Sequence, residues 1–266
     1  MVNGVAEKTP NRFKFVDDIT IASRTAVSSL GADPVQHPLQ DVMQNIGKTA
    51  LDDRMTVNTS KCATMLVCAS DKQRPKFLPL SFGPDYIQHV SNMKLLGVTL
   101  QDNLKWDTHV LNMVGKANSR KYFILVLKRL GVGLSDLVKC YCVFVRPLLE
   151  YAVPVWHSGL TNQQSLSLER VQKQTLRILL PDATYRQACS ITGLERLDVR
   201  RVELCRRFAL NLLRSGSFSH WLPPRRRDCH QRHLRNSNKL SVLPSRTKRF
   251  TNSPVAFMTS LLNQQQ

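Results

Sequence analysis

Residues 94–110 read KLLGVTLQDNLKWDTHV, and a change of period inside this stretch decides the fold class. Up to Leu100 the run 93–100, MKLLGVTL, is apolar and β-prone, which predicts a strand. From Trp106 onward the apolar residues recur at helical spacing. Trp106, Val110, Met113, Ala117, Ile124 and Leu127 share one stripe, and Lys116, Arg120, Lys121 and Lys128 lie off it. A strand-bearing N-terminal part therefore gives way to a helical C-terminal part. The chain reads as α+β, mainly α.

Downstream, Gly131 closes the first helix and Ser135 offers a cap for a second. That second helix, about 136–150, is apolar nearly all round, which predicts a central, buried rod. A third runs from about Asn162 to Leu180, with Pro181 beyond its end. Leu168, Val171, Ile178 and Leu179 form its apolar side, and Arg170, Lys173 and Arg177 form a basic ladder on another. A fourth covers about 196–214 and ends before Gly216. Residues 217–250, rich in Arg, Ser, Asn and Pro and including Arg225, Arg226 and Arg227, read as an extended or partly ordered basic segment.

Upstream, RFKFVDDITIASR (12–24) predicts a β-hairpin with Asp17 and Asp18 at or beside its turn. PLQDVMQNIGKTAL (38–51) predicts a helix with Pro38 at its start. Short strands are expected around Met55–Val57 and Ala63–Cys68, and a Pro-, Lys- and Gly-bearing loop over 71–85. Three parts result: a small mixed α/β piece (1–105), a helical bundle (106–215) and a basic C-terminal segment (216–266).

Composition narrows the partners. With 266 residues and 42% hydrophobic content the chain can build a real core. Its formal net charge of +19 repels itself and attracts a polyanion, so nucleic acid is the first partner to consider. The excess is uneven: residues 1–160 carry 19 basic and 13 acidic side chains, whereas 161–266 carry 19 and 6. Seven scattered cysteines, an odd number, argue against a disulfide framework and for a reducing compartment. The opening MVNGVAEKTPNRFKF has no apolar signal-like core. The most apolar run, 140–156, is broken by Arg146, Pro147 and Glu150, which predicts no membrane span. The expectation is a soluble intracellular protein, with nuclear or cytoplasmic location left open.

FVDD (15–18) is the sharpest chemical feature. Two adjacent carboxylates between strands can offer hard oxygens to Mg²⁺, which relies on one or two carboxylates plus phosphates. By itself, though, an Asp-Asp pair is more often only a polar turn. Cys229, His230 and His233, with Cys205 or His220, suggest zinc, but this spacing matches no standard finger. No phosphate-binding glycine loop, zinc-protease helix, nucleophile elbow or dinucleotide fingerprint is present.

Five stretches in one order carry a family resemblance. FVDDI (15–19) resembles the Tyr-Ala-Asp-Asp hairpin of reverse transcriptases. MTVNTSKC (55–62), KLLGVTLQDNLKWDTHV (94–110), RPLLEYAVPVWHSGL (146–160) and RFTNSPVAFMTSLLN (249–263) are similar to segments that follow it in LINE-type (non-LTR) retrotransposons. The resemblance covers 12–263 and implies the C-terminal part of an RNA-directed DNA polymerase: a palm-like remnant with a primer-grip-like strand, then a thumb-like helical bundle. It implies that Asp17 is a catalytic metal ligand with Asp18 in support, Mg²⁺ being the cofactor. Lys61 would lie near the incoming nucleotide, and Leu96, Gly97 and Val98 would sit in the primer-grip hairpin. Trp106 and His109 begin the thumb, where packing roles are the more ordinary ones. The partners implied are RNA and DNA, with deoxynucleotides the only small-molecule substrates and only if the site were complete.

Phe15 and Val16 replace the family's Tyr and Ala. The family also uses a third carboxylate from an earlier palm strand, together with fingers. Sixteen residues precede Asp17 here and Glu7 is the one acid among them, so the expectation is inactivity as an isolated chain. The alternative is a non-catalytic RNA- or DNA-binding module derived from such an element, with Lys116, Arg120, Lys121, Arg170, Lys173, Arg177 and Arg225–Arg227 as its phosphate contacts. A plain helical interaction domain is a third reading. The stretch 94–156 is also similar to an N-terminal segment of some AlkB-type tRNA hydroxylases, but the chain has no His-x-Asp iron motif.

Overall fold

The computed structural model describes residues 11–24, 36–68, 75–229 and 236–264. Contacts divide the chain into two units, Met1–Leu104 and Lys105–Gln266. It is a mixed α+β protein, mainly helical, with small open sheets in the first unit and a helical bundle in the second.

In the first unit β1 (Arg12–Phe15) pairs antiparallel with β2 (Asp18–Ile21), and Phe15 opposite Asp18 leaves Val16 and Asp17 as a two-residue turn. Alternation along β2 turns Ile19 and Ile21 to one face. There they pack with Val42, Met43 and the buried Ile46 of helix α1 (Gln40–Asp52). Residues 55–57, expected as a strand, join no ladder; Met55 and Val57 instead pack onto the same small cluster. Of the expected strand over 63–68 only β3 (Ala63–Thr64) pairs, in parallel, with β6 (Gln88–His89). Between them β4 (Ser81–Phe82) and β5 (Asp85–Tyr86) form a second small hairpin. It is tied to α1 by Gln40, whose amide donates to the Ser81 carbonyl at 3.0 Å and accepts from the Ser81 N–H at 3.1 Å.

The run expected as one strand over 93–100 is a hairpin, β7 (Asn92–Leu95) and β8 (Val98–Gln101). Its turn residues Leu96 (φ 44°) and Gly97 (φ 85°) are both left-handed, as the tightest hairpin turns require. Glycine takes this conformation freely and leucine does not, so the apolar run hid the turn.

In the second unit α2 (Asp107–Arg129) buries Val110, Met113, Ala117 and Ile124 as the stripe predicts. It ends at Gly131 (φ 82°), with Val132 N–H donating to the Leu127 carbonyl and Gly131 N–H to that of Lys128, the paired bonds of a Schellman close. Next comes one rod made of α3 (Leu134–Cys140), a π-helical turn (Tyr141–Val145) and α4 (Arg146–Glu150). Gly133, not Ser135, is its cap residue. Pro147 has no N–H for the Val143 carbonyl and its ring crowds that group, and a wide π turn just before it relieves the conflict. The rod is not buried all round, as its composition suggested. Leu137, Tyr141, Val145 and Leu149 face the core, while Val143 and Phe144 are exposed.

After the short α5 (Val153–Trp156), α6 (Asn162–Leu179) begins with a capping box. The Thr161 hydroxyl accepts from Gln164 N–H at 3.2 Å, and the Gln164 side chain accepts from Thr161 N–H at 2.8 Å. A second box, Thr184 with Gln187, starts α7 (Tyr185–Thr192), a helix that periodicity alone does not announce. Helix α8 (Leu197–Arg214) follows. A polar chain crosses this core. The Tyr141 hydroxyl donates to Gln172 Oε1 at 2.8 Å, and Gln172 Nε2 donates to the Tyr185 hydroxyl and to the Glu195 carbonyl, each at 2.9 Å. Tyr185 in turn donates to Glu169, whose carboxylate accepts the first N–H groups of α8 from Leu197 and Asp198.

Described residues beyond 215 pack onto α8. After α9 (Arg226–Cys229) and α10 (Lys248–Thr251), α11 (Pro254–Asn263) buries Met258 and Leu262 against Ala209 and Leu212 of α8, with Leu222 and Leu240. Asn263 fastens the strand-like link by accepting from Leu240 N–H (2.8 Å) and donating to the Leu240 carbonyl (3.1 Å). The apolar residues that make this satellite core are spread thinly among polar ones, so composition alone indicates only an extended or partly ordered segment over 217–250. Among the described residues no helix is long and apolar enough to cross a membrane.

Candidate nucleic-acid interface

Asp17 occupies the second turn position of the β1–β2 hairpin and Asp18 begins β2; both are exposed. Val16, the first turn residue, has φ 56°. A β-branched residue in the left-handed region is strained by about 1–3 kcal/mol. Cross-strand register puts Phe13, Phe15, Asp18 and Thr20 on one face of the hairpin, with both rings exposed, and Arg12, Lys14, Ile19 and Ile21 on the other. Two neighbouring carboxylates suit a single hydrated Mg²⁺ that also takes phosphate oxygens. Among the described residues no third His, Cys, Asp or Glu joins them, and a pair alone does not make the two-ion site that two-metal transfer uses.

Lys61 ends a single 3₁₀ turn, Thr59–Lys61, and is exposed. Leu96 and Gly97 form the β7–β8 turn, and Val98 is the buried first residue of β8. Trp106 and His109 serve packing. The His109 ring lies edge-on to both Trp106 (5.9 Å) and Trp156 (5.8 Å), and burial, followed by the charge of Lys116, holds its pKa below the ordinary value. Gly159 makes room for the Trp106 indole, since a Cβ there would lie 2.5 Å from its Nε1.

The cations grouped by sequence on α2 separate in space. Lys116 and Arg120 are exposed and lie one helical turn apart, on the stripe that continues to Phe123. Lys121 points the other way, to α6. Its ammonium donates to Gln174 Oε1 at 2.6 Å and to Asn118 Oδ1 at 3.1 Å, and desolvation lowers its pKa. Lys128 likewise reaches α6, donating to the carbonyls of Ile178 and Leu179 at its C-terminal end, where a cation offsets the helix dipole.

The α6 ladder forms as the spacing predicts. Arg170, Lys173 and Arg177 are exposed on one side, opposite the buried Leu168, Val171, Leu176 and Leu179. Among the described residues none of the three has an ion-pair partner. The one acid beside them in sequence, Glu169, is turned inward to Tyr185 and the start of α8. The Lys121–Gln174 bond joins α2 to the edge of this ridge, because residue 174 lies one turn from both Arg170 and Arg177.

Arg225, Arg226 and Arg227 do not form a comparable cluster. The Arg225 guanidinium donates to the Asn238 carbonyl at 2.8 Å, Arg226 is half-buried, and Arg227 pairs with Asp228 at 3.4 Å. Of the zinc ligands that the sequence suggests, His230 and His233 lie outside the described residues. Cys205 is buried in the core, and desolvation pushes its thiol up to about 12, which disfavours the thiolate zinc binds. His220 packs edge-on to Trp221.

Two residues escaped the sequence reading. Phe123 of α2 and Phe144 of the π turn meet edge to face at 6.1 Å on the outside of the bundle. Phe144 sits in the apolar run that reads as core, where the local sign is Pro147 beyond the π turn, and Phe123 lies off the buried stripe of α2. Comparison with protein-family models, curated proteins and solved structures finds no match to this chain.

Proposed function

We propose that this chain is the C-terminal part of a reverse transcriptase of the non-LTR retrotransposon kind, with a palm-like first unit and a thumb-like second unit. As this chain it holds RNA or DNA by the phosphate backbone rather than polymerising. The observation that carries the binding reading is the exposed ridge Arg170, Lys173 and Arg177 on α6, unpaired among the described residues, in the stretch 161–266 with 19 basic and 6 acidic side chains. Cations left without protein partners release counterions when they meet phosphates, which gives sequence-independent binding. The polymerase origin is supported by five ordered sequence resemblances and by Asp17 on the exposed turn of a strained hairpin with Asp18 beside it at the start of β2.

The test is a binding titration at several salt concentrations with wild type and the triple variant Arg170→Ala, Lys173→Ala, Arg177→Ala. Non-specific affinity of roughly 10⁻⁴–10⁻⁶ M at physiological salt is expected for wild type. The variant should bind all sequences more weakly, with a salt slope flatter by roughly 2–3. Equal affinity and slope for the two proteins would remove the ridge from the interface.

A further inference from the structure

We propose that Phe123 and Phe144 form a stacking platform for unpaired bases, with Lys116 and Arg120 holding the phosphates beside it, so that this face of α2 selects single-stranded nucleic acid. The proposal rests on the nucleic-acid-binding reading above and adds to it a second face and a strand preference.

The two rings come from positions about 20 residues apart in sequence and hold each other edge to face, at 80° between planes. Even so, Phe123 is 48% exposed, Phe144 43% and the neighbouring Val143 63%. Elsewhere in the rod the large residues Tyr141, Val145 and Leu149 are fully buried. The π turn sets Val143 and Phe144 apart from that buried line, and such turns recur at functional sites.

Charge says what covers this face. Lys116, Arg120 and Phe123 follow one another at i, i+4 and i+7 along α2. Arg120 Nη1 donates to the Phe144 carbonyl at 3.5 Å, which anchors the guanidinium next to the rings and leaves its other N–H groups for an incoming acceptor. Between residues 108 and 129 α2 has no acidic side chain, and Tyr141–Val145 has none either. The nearby acids on the rod are engaged: Asp136 pairs with Lys139, and Glu150 pairs with Arg146 and Arg200. An aromatic surface inside an uncompensated positive field suits a polyanion that also carries flat apolar groups. In a duplex those groups are already stacked, whereas in a single strand every base has a free π-face. The α6 ridge presents cations with no exposed aromatic ring, so it serves either form of nucleic acid.

The experiment uses the full chain and fluorescence anisotropy with a labelled single strand of about 20 nucleotides and the corresponding duplex. Replacing Phe123→Leu and Phe144→Leu together keeps apolar bulk but removes the planes. The double variant should lose about tenfold or more in single-strand affinity, the scale of one stacked base, while duplex affinity moves less than about twofold. The salt slope should stay the same, because no charge is lost. A Phe144→Trp variant should keep binding, and its added emission should be quenched by the single strand and not by the duplex. If the double Leu variant fails to fold, as judged by circular dichroism, the Phe144→Trp variant decides alone.

A double Leu variant that binds the single strand as tightly as wild type overturns the platform while leaving phosphate binding intact. Added emission in the Phe144→Trp variant that does not respond to the single strand overturns it in the same way. Wild type that binds neither nucleic acid overturns both readings. A free chain that sediments as a dimer, made monomeric by Phe144→Asp, assigns the face to a second copy and also overturns the platform.

Discussion

Replacing Gln172 by Leu tests the polar chain that sets how α6 sits in the bundle. Gln172 is fully buried and makes three hydrogen bonds, one from Tyr141 and two to Tyr185 and Glu195. Leucine has nearly the same volume, so packing is preserved and the loss is polar. The Tyr141 hydroxyl, itself fully buried, is left without its acceptor, and the Glu195 carbonyl loses its donor. Tyr185 keeps its bond to Glu169. Two groups stranded at roughly 1–3 kcal/mol each give an expected destabilisation of about 2–6 kcal/mol. Tyr141→Phe alone strands only the Gln172 oxygen and should cost about 1–2 kcal/mol. In the double variant donor and acceptor are both gone, so its cost should fall below the sum of the singles by about 1–2 kcal/mol. Urea unfolding followed by far-ultraviolet circular dichroism, which reports mainly on the helical unit, measures each corner of the cycle. Coupling smaller than about 0.5 kcal/mol would mean that the two side chains act independently and would refute the network.

Three further outcomes are expected. Gly159→Ala puts a Cβ 2.5 Å from Trp106 Nε1, so the indole must move, costing about 1–3 kcal/mol, with a lower Tm and altered tryptophan emission; an unchanged Tm would contradict the close approach. Burial, reinforced by Arg201, lowers the pKa of His157 to about 4, and burial lowers that of His109 too, against an ordinary value near 6.5. As pH falls from about 6.5 to about 4 the unfolded chain therefore takes up protons first, and stability drops by on the order of 1–3 kcal/mol from His157. His157→Gln should flatten that part of the profile, and a wild-type profile already flat there would rule the effect out. Finally, the purified chain should extend no primer on an RNA template with Mg²⁺ or Mn²⁺; extension that disappears in Asp17→Asn would show that the two-carboxylate hairpin is completed in some other way.

Local chemistry made much of the helical unit readable. The Trp106–Leu127 stripe, the Gly131 close and the α6 ladder all follow from interactions within a few residues, which sequence displays directly. The β1–β2 turn was legible for the same reason, since Asp17 and Asp18 interrupt two β-prone runs. The β7–β8 turn was not, because Leu96 occupies a position where asparagine or glycine would have announced it. Helix α7 carried a readable sign, the Thr184–Gln187 box, in a stretch too short to show a period.

What the tertiary structure decided is how each helix is rotated against its neighbours. Periodicity gives the phase of an apolar stripe along one helix, but it does not say which partner covers it. Lys116 and Arg120 could therefore be separated from Lys121 only by the packing of α2 between the rod and α6. The exposed side of 141–145 depends on a π turn whose cause, Pro147, lies outside it. Composition reads residues 217–250 as no more than an extended or partly ordered segment, because their apolar groups are few and scattered. They fold because α8 offers Ala209 and Leu212 as a second apolar face, and contacts distant in sequence supply the burial that no local window contains.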